Sequence, residues 1–309
     1  MSKIIIAGIG GVGGYFGGLL AKHYESTPGT DIVFYARGEH LSAIQKNGLK
    51  VIQGDATFVA HPRLATDDAA GIGTADAIIF ATKSYDLEAV LHALAPCINK
   101  HTLLLPLLNG VDSTERIKTA YPNNTVLEGC TYIVSRIQQP GVIQNSGNIQ
   151  KLYFGGKASQ SQLDWLLTLF TTAQCDAYLI PNIQTVVWEK FVFISPIATA
   201  TAYFDACIGE ILKDPIRYAT LKTLIDEIIC LAKAKNIPLL DNQVDITVNK
   251  YKTLPFEATS SMHSDFRAKK QKTELATLTE YVIKEGMKHA IHMPNYQVAL
   301  ASLLKKIVN

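Results

Sequence analysis

The sequence predicts an α/β protein in two parts: an N-terminal, mostly parallel sheet domain and an all-helical domain after it. Three observations carry that expectation. The chain opens on branched apolar residues that run straight into a glycine-rich turn, residues 3–18 reading KIIIAGIGGVGGYFGG. Segments of strand and helix character then alternate as far as Ile180, the pattern of a parallel sheet with helical crossovers. From Pro181-Asn182 onward only long helical periods remain, which divides the chain into residues 1–182 and 183–309. A length of 309 residues also fits two cores better than one.

Gly8, Gly10 and Gly13 form G-x-G-x-x-G where a strand ends and a helix opens, the arrangement of a Rossmann-type dinucleotide-binding domain. Gly8 permits the tight turn, the missing Cβ of Gly10 lets a diphosphate approach the backbone, and Gly13 lets the helix lie close on the strand. The segment Gly8, Ile9, Gly10, Gly11, Val12, Gly13 is therefore the candidate cofactor cradle, facing the positive end of the helix. Gly14, Gly17 and Gly18 recur at helical spacing and are read as close-packing positions.

The helix after the loop runs through Leu19, Leu20 and Tyr24 and stops at Thr27-Pro28-Gly29-Thr30. Residues 32–35 are the second strand. At the tip of that strand an acidic residue would bind the free ribose 2′-hydroxyl of NAD, but this chain has Ala36-Arg37, and Asp31 lies at the wrong end. Arg37 can clamp a 2′-phosphate bidentately, which favours NADP(H); the other reading is an ordinary solvated arginine. Residues 39–47 form a helix closed by Gly48, and residues 49–60 a hairpin turning at Gly54-Asp55. Residues 76–82 are apolar on both faces, as a buried parallel strand is, and end at Lys83. Lys83 thus sits on the rim where open α/β sheets bind ligands, though a surface lysine fits the position equally.

A helix over 84–94 and a strand over 102–108 bring the chain to Asn109-Gly110 on the same rim. The Asn109 amide can donate and accept at once, which suits a place between nicotinamide and substrate; a plain turn asparagine is the alternative. A helix over 113–120, strands within 125–137 and over 142–145 and 152–154, a helix over 161–172 and a strand over 178–180 complete the domain. The hairpins add antiparallel strands to its sheet.

Composition narrows the partners. Lys plus Arg total 29 against 27 Asp plus Glu, a near balance that creates no field for nucleic acid or an anionic membrane. No apolar run approaches a membrane span and the N-terminus enters a strand at once, so a soluble, cytoplasmic protein is expected. Cys97, Cys130, Cys175, Cys207 and Cys230 are scattered, with no C-x-x-C and no nearby histidine pair. Buried reduced thiols are expected, and no metal site.

In the second domain, residues 183–204 form a helix capped by Asn182 and kinked at Pro196. It is apolar on most sides, hence buried. Lys190 shares a stripe with Val186, Ile194, Ile197 and Ala198, so its ammonium needs an anion, a cleft or a ligand. A cation so placed can polarise a carbonyl and supply its proton; Glu189 beside it fits instead the edge of a wet face. Helices follow over 208–212, 215–235 and 241–251, then a polar loop Thr259-Ser260-Ser261-Met262, a long helix from Lys272-Thr273-Glu274 to Met287, and a last one over 294–308. Glu274 near a helix start is explained by the dipole. A homodimer is left open.

As an ordered set, these residues resemble the ketopantoate reductase (2-dehydropantoate 2-reductase) family over almost the whole chain. The resemblance rests on Gly8 to Gly13, Arg37, Ala81-Thr82-Lys83, Leu108-Asn109-Gly110, Trp188-Glu189-Lys190-Phe191, Ser260-Ser261-Met262 and Thr273-Glu274. It implies NADPH as cofactor, a small 2-oxo acid as substrate, reduction to a 2-hydroxy acid and a place in pantothenate biosynthesis. It also implies Lys190 as proton donor, Glu274 as a catalytic partner that positions the reactants, Asn109 and Lys83 as contacts to cofactor and substrate, and Ser261 as a ligand of the substrate carboxylate. The chain departs from the pattern twice. Asparagines that the family carries four and eight residues after the lysine, and before the glycine matching Gly209, are here Ile194, Ala198 and Ile208. The interval from Asp265 to Glu274 is one residue longer, to be absorbed in the loop or to displace the carboxylate. Ketopantoate is the leading substrate by the resemblance, a more apolar branched 2-oxo acid the second reading, and a non-catalytic NADP(H) sensor the rival.

Overall fold

A computed structural model describes residues 2–308, which divide into two compact units. The first comprises the chain up to Leu108 and then Asp112–Ile183; the second comprises Asn109–Val111 and the chain from Gln184 onward.

In the first unit the chain runs β1 (Ser2–Ala7), α1 (Gly11–Tyr24), β2 (Thr30–Tyr35), α2 (Gly38–Asn47), β3 (Leu49–Gln53), β4 (Ala56–Ala60), β5 (Leu64–Thr66), β6 (Ala77–Phe80), α3 (Leu87–Ala93), β7 (Leu103–Pro106), α4 (Ser113–Ala120), β8 (Glu128–Tyr132), β9 (Ser135–Gln139), β10 (Val142–Asn145), β11 (Lys151–Gly155), α5 (Gln160–Thr172) and β12 (Asp176–Leu179). Five strands form a wholly parallel sheet in the order β5-β2-β1-β6-β7. The period of two divides the central strands between two cores. Ile4, Ile6, Ala77 and Ile79 face one, with Phe16, Leu20 and Ile44; Ile5, Ala7, Ile78 and Phe80 face the other, with Leu87, Leu91 and Ile117. Helices thus cover both faces, and the strand order reverses between β1 and β6, the kind of switch point at whose carboxyl ends open α/β sheets bind ligands.

The expected hairpin is β3 and β4 in antiparallel register, Gln53 opposite Ala56, with Gly54 at φ +56°. The later strands do not extend the parallel sheet, as the sequence suggested. They build two sheets of their own, β4-β3-β10-β9 and β12-β11-β8. The glycines of α1 give the reason. A Cβ on Gly17 would lie 3.1 Å from Ile6 of β1, whereas one on Gly14 would meet Ile143 of β10 at 2.5 Å and one on Gly18 would meet Val51 of β3 at 2.8 Å. The helix is close-packed on two sides, so the second sheet must cover it rather than continue the first. One smaller correction concerns the helix expected over 84–94: Ser84–Asp86 forms a 3₁₀ turn before α3.

The second unit is helical: α6 (Ile183–Phe204), α7 (Ile208–Lys213), α8 (Pro215–Ala234), α9 (Gln243–Lys252), α10 (Ser261–Arg267), α11 (Tyr281–Lys288) and α12 (Pro294–Val308). Trp188, Phe191, Val192, Ala198 and Ala202 of α6 lie in its core with Leu224, Ile228, Tyr251 and Leu278. Pro196 lies inside α6, which continues to Phe204. Glu227 accepts from the backbone N–H groups of Asn295 and Tyr296 and so caps α12 from α8.

Two expectations are corrected here. Ser260 is the cap of α10, its hydroxyl accepting from the His263 N–H, and Ser261 is the first helical residue rather than part of a loop. The long helix from Lys272 to Met287 is interrupted, since Ala276–Glu280 forms a π-helical turn before α11. That turn is held by tertiary bonds: Ser195 Oγ donates to the Leu278 carbonyl at 2.5 Å, and the Thr199 and Thr279 hydroxyls pair at 2.8 Å. Cys97, Cys130 and Cys175 are buried as expected, but Cys207 is half-buried and Cys230 exposed. Among the described residues no helix is long and apolar enough to cross a membrane.

Candidate functional site

The first cluster of expected residues lies where β1 ends. The Gly8 N–H donates to the Tyr35 carbonyl at 3.0 Å and the Ala81 N–H to the Ala7 carbonyl at 2.8 Å, so the tips of β2 and β6 are tied to the start of the loop. Gly8 has φ +93°, and a Cβ there would lie 2.8 Å from Thr82 Cγ2. A Cβ on Gly13 would come within 2.0 Å of the Gly8 carbonyl oxygen, which is the close helix-to-strand packing the motif requires. Gly10 differs from both. It is the cap residue of α1, and a Cβ on it would meet nothing within 4 Å. Gly11 is filled from the protein side, 2.0 Å from the Ser135 carbonyl oxygen. The side chains of Ile9 and Val12 turn into the apolar core, which leaves their backbone for any ligand.

A cofactor diphosphate can be tested against this loop from its own atoms. The first turn of α1 carries no acidic residue, and no side chain caps it. Beside it, Thr82 Oγ1 and Ser135 Oγ are buried without a hydrogen-bond partner. Open space at Gly10, an uncapped helix start and two unpaired hydroxyls fit an anionic diphosphate. Sequence reasoning missed both hydroxyls as donors. Thr82 had a signal, its place between β6 and Lys83, whereas Ser135 reaches the loop only through the second sheet. His40 was missed too: its Nδ1 accepts from the Gly141 N–H at 3.0 Å, its Nε2 is buried without a partner, and burial holds its imidazole below the ordinary pKa.

Arg37 lies two residues past β2, at the carboxyl edge, with its side chain 75% exposed. It is not alone there. Its Nη2 donates to Asp86 Oδ2 at 2.5 Å, and the Asp86 side chain is only 11% exposed. Lys83 precedes the 3₁₀ turn that carries Asp86, its carbonyl accepting from the Asp86 N–H at 3.0 Å. A depression of about 460 Å³ in this unit lies at the other end of β2, lined by Tyr24, Asp31, His61 and Arg63, away from the loop.

The second cluster lies on α6. Lys190 is 9% exposed, which decides against the edge of a wet face. Its Nζ donates to Asn109 Oδ1 at 3.0 Å. Trp188 and Phe191, edge to face at 5.7 Å, fix the helix around it. Glu274 is 2% exposed, so it is a buried carboxylate and not a solvated dipole partner. Its carbonyl accepts from the Leu278 N–H, which starts the turn that becomes π-helical. Such turns concentrate at functional positions. Between Asp265 and Glu274, the interval expected to be longer, Lys269 adopts φ +51° and the Lys270 N–H donates to the Asp265 carbonyl.

Ser261 is exposed at the start of α10. Its neighbour Ser260 pairs with Thr201 at 2.9 Å, eleven residues along α6 from Lys190, or about 16 Å of helix axis. Lys190 and Asn109 are thus brought together, while Ser261, on α10, stands beside the C-terminal half of α6. Of the three departures, Ala198 and Ile208 are absorbed into the core at 2% and 1% exposure, and Ile194 is half-buried one turn from Lys190.

The family model described as "Ketopantoate reductase PanE/ApbA" matches residues 4–159, and its C-terminal counterpart matches residues 182–307. Over 304 residues, 97% of each chain, the protein is 26% identical to "Uncharacterized oxidoreductase YkpB" of Bacillus subtilis. It superposes on the crystal structure of 2-dehydropantoate 2-reductase from Porphyromonas gingivalis with TM-score 0.85 and 35% identity, covering 98% of this chain and 99% of that one. The ternary structure of D-mandelate dehydrogenase with NADH and anilino(oxo)acetate has the same fold, with TM-score 0.86 and 20% identity over 99% and 98% of the two chains. With both of its halves matched, the chain belongs to the ketopantoate reductase PanE/ApbA family, oxidoreductases that act on a CH–OH group.

Proposed function

We propose that this protein reduces a 2-oxo acid to the 2-hydroxy acid with NADPH, ketopantoate being the leading substrate. As a member of the family it is a nicotinamide-dependent oxidoreductase. The observation that carries the reading is the buried Lys190 held by Asn109 on α6. A 2-oxo acid needs two things beyond a hydride: an acid at its carbonyl oxygen and a partner for its carboxylate. Lys190 answers the first. Its ammonium polarises the carbonyl, stabilises the alkoxide as it forms and transfers a proton to it. Asn109 can only accept from that ammonium through Oδ1, so the amide fixes where the cation points. Glu274 positions the reactants as a buried carboxylate; Ser261, the carboxylate ligand that the resemblance implies, stands beside the part of α6 about 16 Å of helix axis beyond Lys190, a span that one small 2-oxo acid held by Lys190 does not cover.

The reduced nicotinamide, when bound, supplies the hydride. The glycine loop holds the diphosphate through backbone N–H groups, joined by the hydroxyls of Thr82 and Ser135. Arg37 supports NADPH over NADH because its guanidinium can meet a 2′-phosphate. Lys83 contacts cofactor or substrate from the rim after β6.

A second substrate reading is favoured by Ile194, which presents an apolar side chain where an amide would read a substrate hydroxyl. On that reading a branched apolar 2-oxo acid replaces ketopantoate. A panel of ketopantoate, 2-oxoisovalerate, pyruvate and a longer branched 2-oxo acid, each with NADPH and NADH, tests both. Efficient turnover of ketopantoate supports the leading substrate, and turnover of the apolar acids alone supports the second. Tight NADPH binding without turnover of any member would overturn the enzyme reading in favour of a sensor.

A further inference from the structure

The ion pair between Arg37 and Asp86 is the least expected feature of the cofactor edge. A guanidinium that awaits a phosphate gains most when no anion already neutralises it. Here Asp86, anchored on a 3₁₀ turn and mostly buried, holds Nη2 at 2.5 Å while the rest of the arginine stays exposed. The two residues follow β2 and β6, the strands on either side of β1, so the pair spans the carboxyl end of β1 beside the glycine loop. A second acid lies close by: the Tyr35 phenol is pushed up by its burial and by Asp67, while Arg37 acts in the opposite direction.

We propose that Asp86 is a specificity-determining residue for the ribose 2′ position of the cofactor, its carboxylate lowering the advantage that a 2′-phosphate has over a free 2′-hydroxyl. The proposal rests on the reading of Arg37 as the 2′-phosphate ligand. A phosphate that engages the remaining guanidinium donors sits a few ångströms from the Asp86 carboxylate. Attraction to Arg37 is then offset by repulsion from Asp86, whereas a neutral ribose hydroxyl feels neither strongly. Asp86 thus acts by its charge at the ribose 2′ position and takes no part in the chemical step.

The test is equilibrium titration of the full chain with NADPH and with NADH, for the wild type, Arg37→Gln, Asp86→Asn and Asp86→Ser. Each variant is first checked by thermal melting, and two neutral replacements of Asp86 are used in case one fails to fold. Removing the carboxylate is expected to raise the ratio of NADPH to NADH affinity about three- to tenfold at low salt, with the change carried by NADPH. The gain should shrink as salt is added. A purely structural role for Asp86 would weaken both cofactors alike and leave the ratio and its salt dependence unmoved, which would overturn the proposal. If Arg37→Gln itself leaves the ratio unchanged, the reading of Arg37 fails and the proposal with it. If Arg37→Gln abolishes the preference but neither Asp86 variant raises it, the proposal alone fails.

Discussion

Lys190 Nζ donates to Asn109 Oδ1 across 3.0 Å, joining the buried face of α6 to the short Asn109–Val111 segment that folds with it. The pair is informative because a lysine so buried has its orientation set by whatever accepts from it. Asn109→Ala should therefore leave the ammonium present but less firmly aimed. The expected result is a fall in kcat of about tenfold to a hundredfold, with a loss of stability of about 1 kcal/mol. Steady-state kinetics beside a denaturation curve separate the two effects, and an unchanged kcat would remove Asn109 from the mechanism.

Two adjacent glycines of the loop should respond in opposite ways. Gly10→Ala adds a methyl group to open space at an ordinary backbone conformation, φ −84° and ψ −156°, so the melting temperature should barely move. Affinity for the nicotinamide cofactor should fall at least tenfold, since the methyl group occupies the ligand's approach. Gly11→Ala drives a methyl group onto the Ser135 carbonyl, 2.0 Å away, and should destabilise the fold by about 2 kcal/mol. Cofactor titration and thermal melting of both variants check the contrast.

Ile194 stands one turn along α6 from Lys190, where the resemblance leads one to expect an amide. Ile194→Asn should raise kcat/KM for ketopantoate relative to 2-oxoisovalerate by about tenfold, because a polar partner rewards the substrate hydroxyl and disfavours its absence. An equal effect on both substrates would mean that this position does not line the substrate site.

Burial keeps the His40 imidazole below its ordinary pKa, and its Nδ1 must stay unprotonated to accept from Gly141. The unfolded chain binds a proton near pH 6.5, the folded chain only at lower pH. This contribution to stability is full above about pH 6.5 and is lost as the pH falls toward the native value. Chemical denaturation between pH 7.5 and about 5 should show stability declining in the wild type and a flatter profile in His40→Gln. Equal slopes for the two proteins would contradict the assignment.

How much of this was legible beforehand depended on whether the cause was local. The continuous apolar run from Ile4 to Ala7, the Gly54-Asp55 turn and the bounds of α6 could be read directly, because each rests on neighbours in sequence. The stripe of Val186, Ile194, Ile197 and Ala198 likewise pointed to a buried Lys190. The π-helical turn after Glu274 could not be read, since its hydrogen bonds span only one residue more than those of an α-helix and it is held by Ser195 and Thr199 on another helix. Nor could the partner of Arg37, which sits on a different strand's loop. The separation of the later strands into two mixed sheets of their own did leave a trace. Glycines at positions 14, 17 and 18 exceed what one packing face needs, and two of them serve the second sheet.

The most direct test of the central claim compares wild type with Lys190→Met, measuring oxidation of NADPH by a 2-oxo acid and, separately, binding of NADPH. With Lys190 as the proton donor, kcat should drop by about a hundredfold to ten-thousandfold while the cofactor dissociation constant stays within about twofold, because the glycine loop and Arg37 are untouched. A variant that turns over the 2-oxo acid at the wild-type rate would contradict the assignment.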